Sequence, residues 1–344
     1  MPVETEALLA FLIGCVFAIP GVAAKSQNAL GKSMVRHTAH PAGTEAVQFT
    51  YADPTFSKPK RALIRAIEKV TGQPRLKRLY LENHRNPVAG ESFFAAAVRQ
   101  LRLDVQFDRA QLDKIPKTGP CVIVANHPYG VLDGITIAWL IGLVRQDFVI
   151  LTNAVLLHAP EAQGYLLPVD FAETAEAMQT NLRTRAEARR LLDRGGCVIV
   201  FPAGGVSTSP DKLGRRPAMD APWQPFTVQL IQRSKATVVP IFFGGQNSRL
   251  FQIASHLNQT LRLSLIFKEV RDRIGTNLPI AIGDPIDGAA FAAATDRKAV
   301  ALELMRRTYA LAGQLTDDRT AKRIAAGHLE PVVLNQPKLC APRV

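Results

Sequence analysis

Two short segments of this 344-residue chain hold side chains that can do chemistry together. The first is Asn126-His127-Pro128-Tyr129-Gly130-Val131-Leu132-Asp133-Gly134, with a histidine and a carboxylate a short loop apart. Such a pair suits general base catalysis. The carboxylate holds one imidazole tautomer and stabilises the imidazolium that forms when the other ring nitrogen takes a proton. Pro128 and Gly130 shape the turn between them. The same spacing admits a plainer reading, in which Asp133 caps the following helix and His127 is a loop histidine. The second segment is Phe201-Pro202-Ala203-Gly204-Gly205-Val206-Ser207. Gly204 and Gly205 let backbone N–H groups approach a ligand closely. Donors of that kind bind the oxyanion of a tetrahedral acyl intermediate, or a phosphate. A glycine pair also makes an ordinary tight loop.

Both segments follow apolar runs that read as buried strands, CVIVA (121–125) and CVIVF (197–201). Further strands are expected at FVILT (148–152), TVVPIFF (237–243) and LPIAIG (278–283). Helical patterns fall between them, at 134–144, 175–193, 225–233 and 261–274, the second stopped by Gly195-Gly196. Alternating strands and helices imply an α/β fold, a mixed and largely parallel sheet flanked by helices. In such sheets, ligand sites lie beyond the carboxyl ends of the strands, where both segments fall.

Ahead of the sheet the chain is different. Residues 7–24 are an apolar run of about the length that spans a bilayer. Glu4 and Glu6 precede it, where a signal peptide carries basic residues, although Val22-Ala23-Ala24 fits a cleavage site. Lys25, Lys32 and Arg36 follow it, so an anchor would put the rest of the chain on the cytoplasmic face of the membrane. A polar linker occupies 25–57. From Pro59 to Gly72, Leu63, Ile64, Ile67 and Val70 recur at helical spacing among Lys58, Lys60, Arg61, Arg65 and Lys69. A basic amphipathic helix lies on anionic lipid or packs its stripe on its own domain. Another helix is expected from Phe93 to Leu103. The organisation expected is an N-terminal helical segment (1–74), a catalytic domain (75–290) and a C-terminal helix with a loose polar tail after about 315 (291–344).

Composition narrows the partners. The net charge of +13 suits nucleic acid or an anionic membrane surface. Aromatics are only 7% and no nucleic-acid-binding motif is present, which argues against nucleic acid. Cys15, Cys121, Cys197 and Cys340 form no C-x-x-C pair, which argues against a zinc site and a disulfide framework. Cys121 and Cys197 each open an apolar run, as buried free thiols do. His84, His158 and His256 lack metal-ligand spacing, so no metal is expected. Ser209-Pro210-Asp211-Lys212 matches a Ser-x-x-Lys pattern but sits in a loop without companion motifs.

NHPYGVLDG and FPAGGVS, in this order, resemble the motifs of the glycerolipid and lysophospholipid acyltransferases, and most of all their hemolysin-like, ornithine-lipid-associated branch. The resemblance spans about residues 75–290 and takes in RQDFVILTN (145–153), Pro240 and GQNSRLF (245–251). It implies an acyl donor that is acyl-CoA or acyl carrier protein, a lysolipid acceptor and no metal or organic cofactor. His127 and Asp133 would be catalytic. Asn126, Gly130, Phe201, Pro202, Gly204, Gly205 and Ser207 would line the substrate site. Five residues separate His127 from Asp133, the spacing of the hemolysin-like branch, where the wider family has four. Ala203 and Val206 stand where the wider family has Glu and Arg. That arginine is implied to hold the acceptor's phosphate, so its absence points to a zwitterionic or amino-acid-bearing lysolipid. The basic residue usual in the second motif is missing near Gly164. Arg215 and Arg216 would contact an anionic headgroup or carrier instead, or else lie on a solvated loop. Two rival functions are a membrane-acting lysin or lipid-binding protein, which needs neither His127 nor Asp133, and a serine lipase, whose Gly-x-Ser-x-Gly elbow is absent.

Overall fold

A computed structural model describes residues 57–153, 162–170, 174–257, 261–262 and 265–327. The apolar run at 7–24, nearly all of the linker after it, and His158 lie outside these residues. The described chain is built on one seven-stranded sheet: β1 (Asp104–Gln106), β2 (Cys121–Ala125), β3 (Phe148–Asn153), β4 (Leu166–Val169), β5 (Cys197–Val200), β6 (Thr237–Phe243) and β7 (Asn277–Ile282). Their order across the sheet is β1-β7-β6-β2-β5-β3-β4. Every neighbouring pair is parallel except β6 and β7, so the sheet is mixed and largely parallel, as the alternating pattern implies.

The central strands are apolar throughout because both faces are covered. In β2, Cys121, Ile123 and Ala125 face one layer while Val122 and Val124 face the other. The first layer holds α1 (Lys58–Thr71), α2 (Gln73–Arg85), α3 (Phe93–Gln100) and α4 (Val131–Gly142). The second begins with α5 (Ala175–Asp193) and α6 (Pro225–Ser234), and α7 (Arg249–Leu257) and α8 (Ile266–Asp272) return to the first. α9 (Arg297–Ala310) and α10 (Arg319–Ala326) complete the second layer. α4 is buried almost all round, as a helix without a polar face must be. Among the described residues no helix is long and apolar enough to cross a membrane.

Several elements differ from the sequence expectation, each for a local reason. α4 starts at Val131 rather than 134, because the Asp133 carboxylate accepts the N–H groups of Tyr129 and Gly130 and closes the first turn early. β1 and β4 escape the periodicity because they are short edge strands. β4 even contains Pro168, tolerable at an edge. The segment after 315, expected to be loose, contains α10. Its Ala321 and Ile324 are buried, and Asp318 caps it while also accepting the Gly245 N–H.

At the amino ends of the strands a buried arginine ties the loops together. Arg145 makes paired 2.7 Å bonds to Asp147 and donates to the carbonyls of Pro116, Gly119 and Gly195. These anchors leave the opposite, carboxyl end of the sheet for the site. Cys121 and Cys197 pair across β2 and β5 as buried free thiols, and the hydrogen bond the Cys197 thiol donates to Cys121, together with burial, pushes it well above its usual range.

Candidate active site

β2 and β5 are parallel neighbours in register, Val124 beside Val200. Residues leaving their carboxyl ends are therefore brought side by side, and His127 meets Phe201. The two rings stack with centroids 4.1 Å apart and 27° between planes. The main chain of His127 is fixed on both sides. Its N–H donates to Asp220 Oδ1 at 3.2 Å, and its carbonyl accepts the Ser207 N–H at 2.8 Å. Only the ring is free to act, and it is partly exposed.

His127 Nδ1 lies 3.0 Å from Asp133 Oδ2. The contact is close but poorly aligned: by hydrogen-bond geometry Nδ1 has no partner among the described residues, nor does the buried Oδ1 of Asp133. Base–orienter contacts often stay loose without substrate and tighten in the reacting complex. Oδ2 also accepts the N–H groups of Tyr129 and Gly130 at 2.8 and 2.9 Å. The two sequence readings of Asp133 thus hold together, since one oxygen both closes the α4 turn and faces the imidazole. Burial pushes the Asp133 carboxyl above its ordinary value, and His127 and the two N–H groups pull against it. Gly130 has a φ of 78°, and a Cβ there would sit 3.0 Å from Val206 Cγ2, so the turn needs glycine. With Nδ1 turned to Asp133, Nε2 is the nitrogen left for a substrate hydroxyl.

The glycine turn stands beside this pair. Gly204 has a φ of 69° and donates to the Phe201 carbonyl at 3.0 Å, so its N–H is spent on the turn. The N–H groups of Gly205 and Val206 make no hydrogen bond among the described residues. Gly205 is exposed, and nothing lies within 4 Å of where its Cβ would be. These donors, not that of Gly204, have the freedom an oxyanion site needs.

Other residues proposed from sequence have structural partners. Asn126 is buried and exchanges two hydrogen bonds with the Phe243 backbone, at 3.0 and 2.7 Å, tying β2 to β6. Pro202 is buried, and its carbonyl accepts the Gln224 N–H. Ser207 turns its hydroxyl to Asp220 at 2.5 Å. Arg215 and Arg216 are exposed at a loop tip whose backbone N–H groups are held by the Asp211 carboxylate. No contact joins their side chains to His127 among the described residues. Ser209 Oγ lies 2.9 Å from both Asp211 and the Arg216 carbonyl, a loop staple, and His256 Nε2 contacts the Ser209 carbonyl. No cluster of three or more His, Cys, Asp or Glu among the described residues could hold a metal ion.

Two further residues escape motif reading. Asp220 is fully buried and accepts from the His127 N–H, the Ser207 hydroxyl and the Trp223 indole, while its own N–H donates to the Tyr309 hydroxyl. Burial raises its carboxyl, and those donors oppose the rise. A lone carboxylate between Met219 and Ala221-Pro222-Trp223 was the available signal. Arg262 donates to the Val206 carbonyl at 2.8 Å, and its guanidinium lies 5.4 Å from the Phe251 ring centre. The GQNSRLF segment also has its explanation here. Gly245 has a φ of 80°, and a Cβ there would lie 1.8 Å from the Tyr129 hydroxyl, which donates to the Gly244 carbonyl. The Arg273 guanidinium lies over that ring, 4.4 Å from its centre.

A family model described as Acyltransferase matches residues 80–317, well over half of the chain. The chain belongs to that acyltransferase family. Both motif segments of this acyltransferase-family chain, 126–134 and 201–207, lie within the match. It is 24% identical over 254 residues to a lyso-glycine lipid O-acyltransferase of Phocaeicola vulgatus, covering 72% of this chain and 86% of the relative. It is 27% identical over 158 residues to a lyso-glycine lipid O-acyltransferase of Bacteroides thetaiotaomicron, covering 43% of this chain and 52% of the relative. Among solved structures it resembles the 1-acyl-sn-glycerophosphate (LPA) acyltransferase PlsC of Thermotoga maritima, with a TM-score of 0.43 and 16% identity over 77% of this chain and 86% of that one.

Proposed function

We propose that this protein transfers a fatty acyl group from a thioester, acyl-CoA or acyl carrier protein, to the hydroxyl of a lysolipid at the cytoplasmic face of a membrane. The observation that carries the reading is the His127–Asp133 pair, 3.0 Å apart and stacked on Phe201 beside a turn with unspent N–H donors. In the reaction His127 Nε2 takes the acceptor hydroxyl proton as its oxygen attacks the thioester carbonyl. Asp133 stabilises the imidazolium, and the N–H groups of Gly205 and Val206 receive the oxyanion. Collapse breaks the carbon–sulfur bond, and the leaving thiolate takes the proton back from His127.

The acceptor in this reading carries an amino-acid headgroup. Val206 offers no guanidinium for a doubly charged phosphate, and the relatives are named for a lyso-glycine lipid. The test is acyl transfer by the purified full chain, with acyl-CoA and with acyl carrier protein, to lyso-glycine lipid, lyso-ornithine lipid, lysophosphatidate and glycerol 3-phosphate. The expected result is a diacylated product from an amino-acid lysolipid. Transfer to none of the four overturns the activity, and preference for glycerol 3-phosphate or lysophosphatidate overturns the acceptor class.

A further inference from the structure

Two buried arginines in this fold are treated very differently. Arg145 has its donors taken up by Asp147 and three carbonyls. Arg262 is nearly as buried, yet its one hydrogen bond among the described residues goes to the Val206 carbonyl, and it forms no ion pair among them. Phe251 gives one face of the guanidinium a cation–π contact. Burial alone pulls the Arg262 pKa down to about 10. A guanidinium carries five N–H donors in a planar fork, and a buried cation without an anion is costly. The fold bears that cost next to the glycine turn. Val206, whose carbonyl Arg262 holds, packs its side chain against Gly130, and the next residue, Ser207, donates to the His127 carbonyl. Arg262 is therefore joined to the catalytic loop through one peptide unit, Val206–Ser207, with a hydrogen bond at each end.

We propose that Arg262 is the acceptor-recognising cation of this site and that its fork takes the carboxylate of the lysolipid headgroup. This rests on the reading of the chain as a lysolipid acyltransferase. An amino acid acylated on its nitrogen keeps a free carboxylate as its charge, a planar acceptor that one guanidinium matches bidentately. Arg215 and Arg216 stay in solvent at the loop tip and are not brought to this position. Arg262 comes from a segment far from either motif, so the cation reaches the glycine turn from outside the turn's own sequence.

The experiment compares two acceptors, lyso-glycine lipid and its methyl ester, by specificity constant. A hydrogen-bonded charge is worth about ten- to a hundredfold in discrimination, so the wild type should prefer the free acid by at least about tenfold. In Arg262→Gln the acid-over-ester ratio should fall to near one, through a higher KM for the acid. Arg262→Lys, a point charge without the fork, should give a ratio between the two. The wild-type ratio does not depend on any variant folding, and a value near one overturns the assignment. So does an Arg262→Gln enzyme that keeps the wild-type ratio, or a wild type that prefers lysophosphatidate to lyso-glycine lipid. A wild type that acylates no lysolipid overturns the functional reading itself and the role of Arg262 with it.

Discussion

Asp220 accepts the main-chain N–H of His127 at 3.2 Å from ninety-three residues away. The same carboxylate takes the Ser207 hydroxyl and the Trp223 indole, so one buried group aligns the histidine loop with the glycine turn. Asp220→Asn keeps only one acceptor atom. If that oxygen serves His127 and Ser207, the new NH2 faces the Trp223 N–H, donor against donor. The expected loss of stability is about 1–3 kcal/mol, and Asp220→Ala, which strands all three donors, should lose more. Because the group positions His127 and does not touch substrate, kcat should fall with little change in KM. Thermal melting and steady-state kinetics on both variants check this. An Asp220→Ala enzyme with wild-type kcat would show that the histidine loop holds itself.

The sheet was legible because its central strands are buried on both faces and read as unbroken apolar runs. The edge strands were not, since three or four residues with an exposed side leave no period to detect. His127 and Asp133 were legible as a pair because they sit in one loop. Asp220 and Arg262 were not, because their roles depend on which distant segments the fold brings against that loop. Asn126 and Ser207 lie within the motifs, but their partners are Phe243 and Asp220, so motif membership alone did not separate residues that face the substrate from residues that hold the turn. Phe201 was placed at the site, but its stacking on His127 follows from the register of β2 with β5, which no residue spacing encodes.

His127→Ala should abolish transfer and leave the fold intact. The ring is partly exposed and stacks on Phe201, while the main-chain bonds to Asp220 and Ser207 do not need the side chain. Removing a general base costs about 10²–10⁴ in rate. The measurement is single-turnover transfer by a variant whose melting matches the wild type. Near-normal turnover would remove His127 from the mechanism.

Lipid association should be electrostatic and carried in part by residues 1–80. On α1, Lys58, Arg65 and Lys69 are exposed, and the helix is tied to α8 at its end through the Arg271 bond to the Val70 carbonyl. Each basic residue near an anionic surface contributes on the order of 1 kcal/mol. The full chain with Lys58, Arg65 and Lys69 changed to Gln should sediment less with anionic vesicles than the wild type, and added salt should weaken both. Equal binding by the two proteins would place the membrane contact elsewhere.

Asp133→Asn should separate stability from activity. Burial lifts the folded-state pKa of Asp133 above the ordinary aspartate value of about 3.9. A carboxyl shifted in that direction contributes stability that is complete below the ordinary value and lost as pH rises through the raised one. Burial thus makes ionising Asp133 costly to the fold, while the proposed mechanism uses its carboxylate to stabilise the imidazolium during transfer. Asparagine does not titrate, and its oxygen can still accept the N–H groups of Tyr129 and Gly130. The wild type should thus lose melting temperature relative to Asp133→Asn as pH is raised from about 4 toward neutrality. Activity should move the other way. An amide can donate to Nδ1 and hold the imidazole in the wrong tautomer, a change that costs about 10⁴ in kcat in a comparable triad. Paired melts across that pH range and kcat at neutral pH test both halves. If the wild type instead gains on the variant as pH rises, the His127 contact outweighs burial and Asp133 is held as a carboxylate in the resting enzyme.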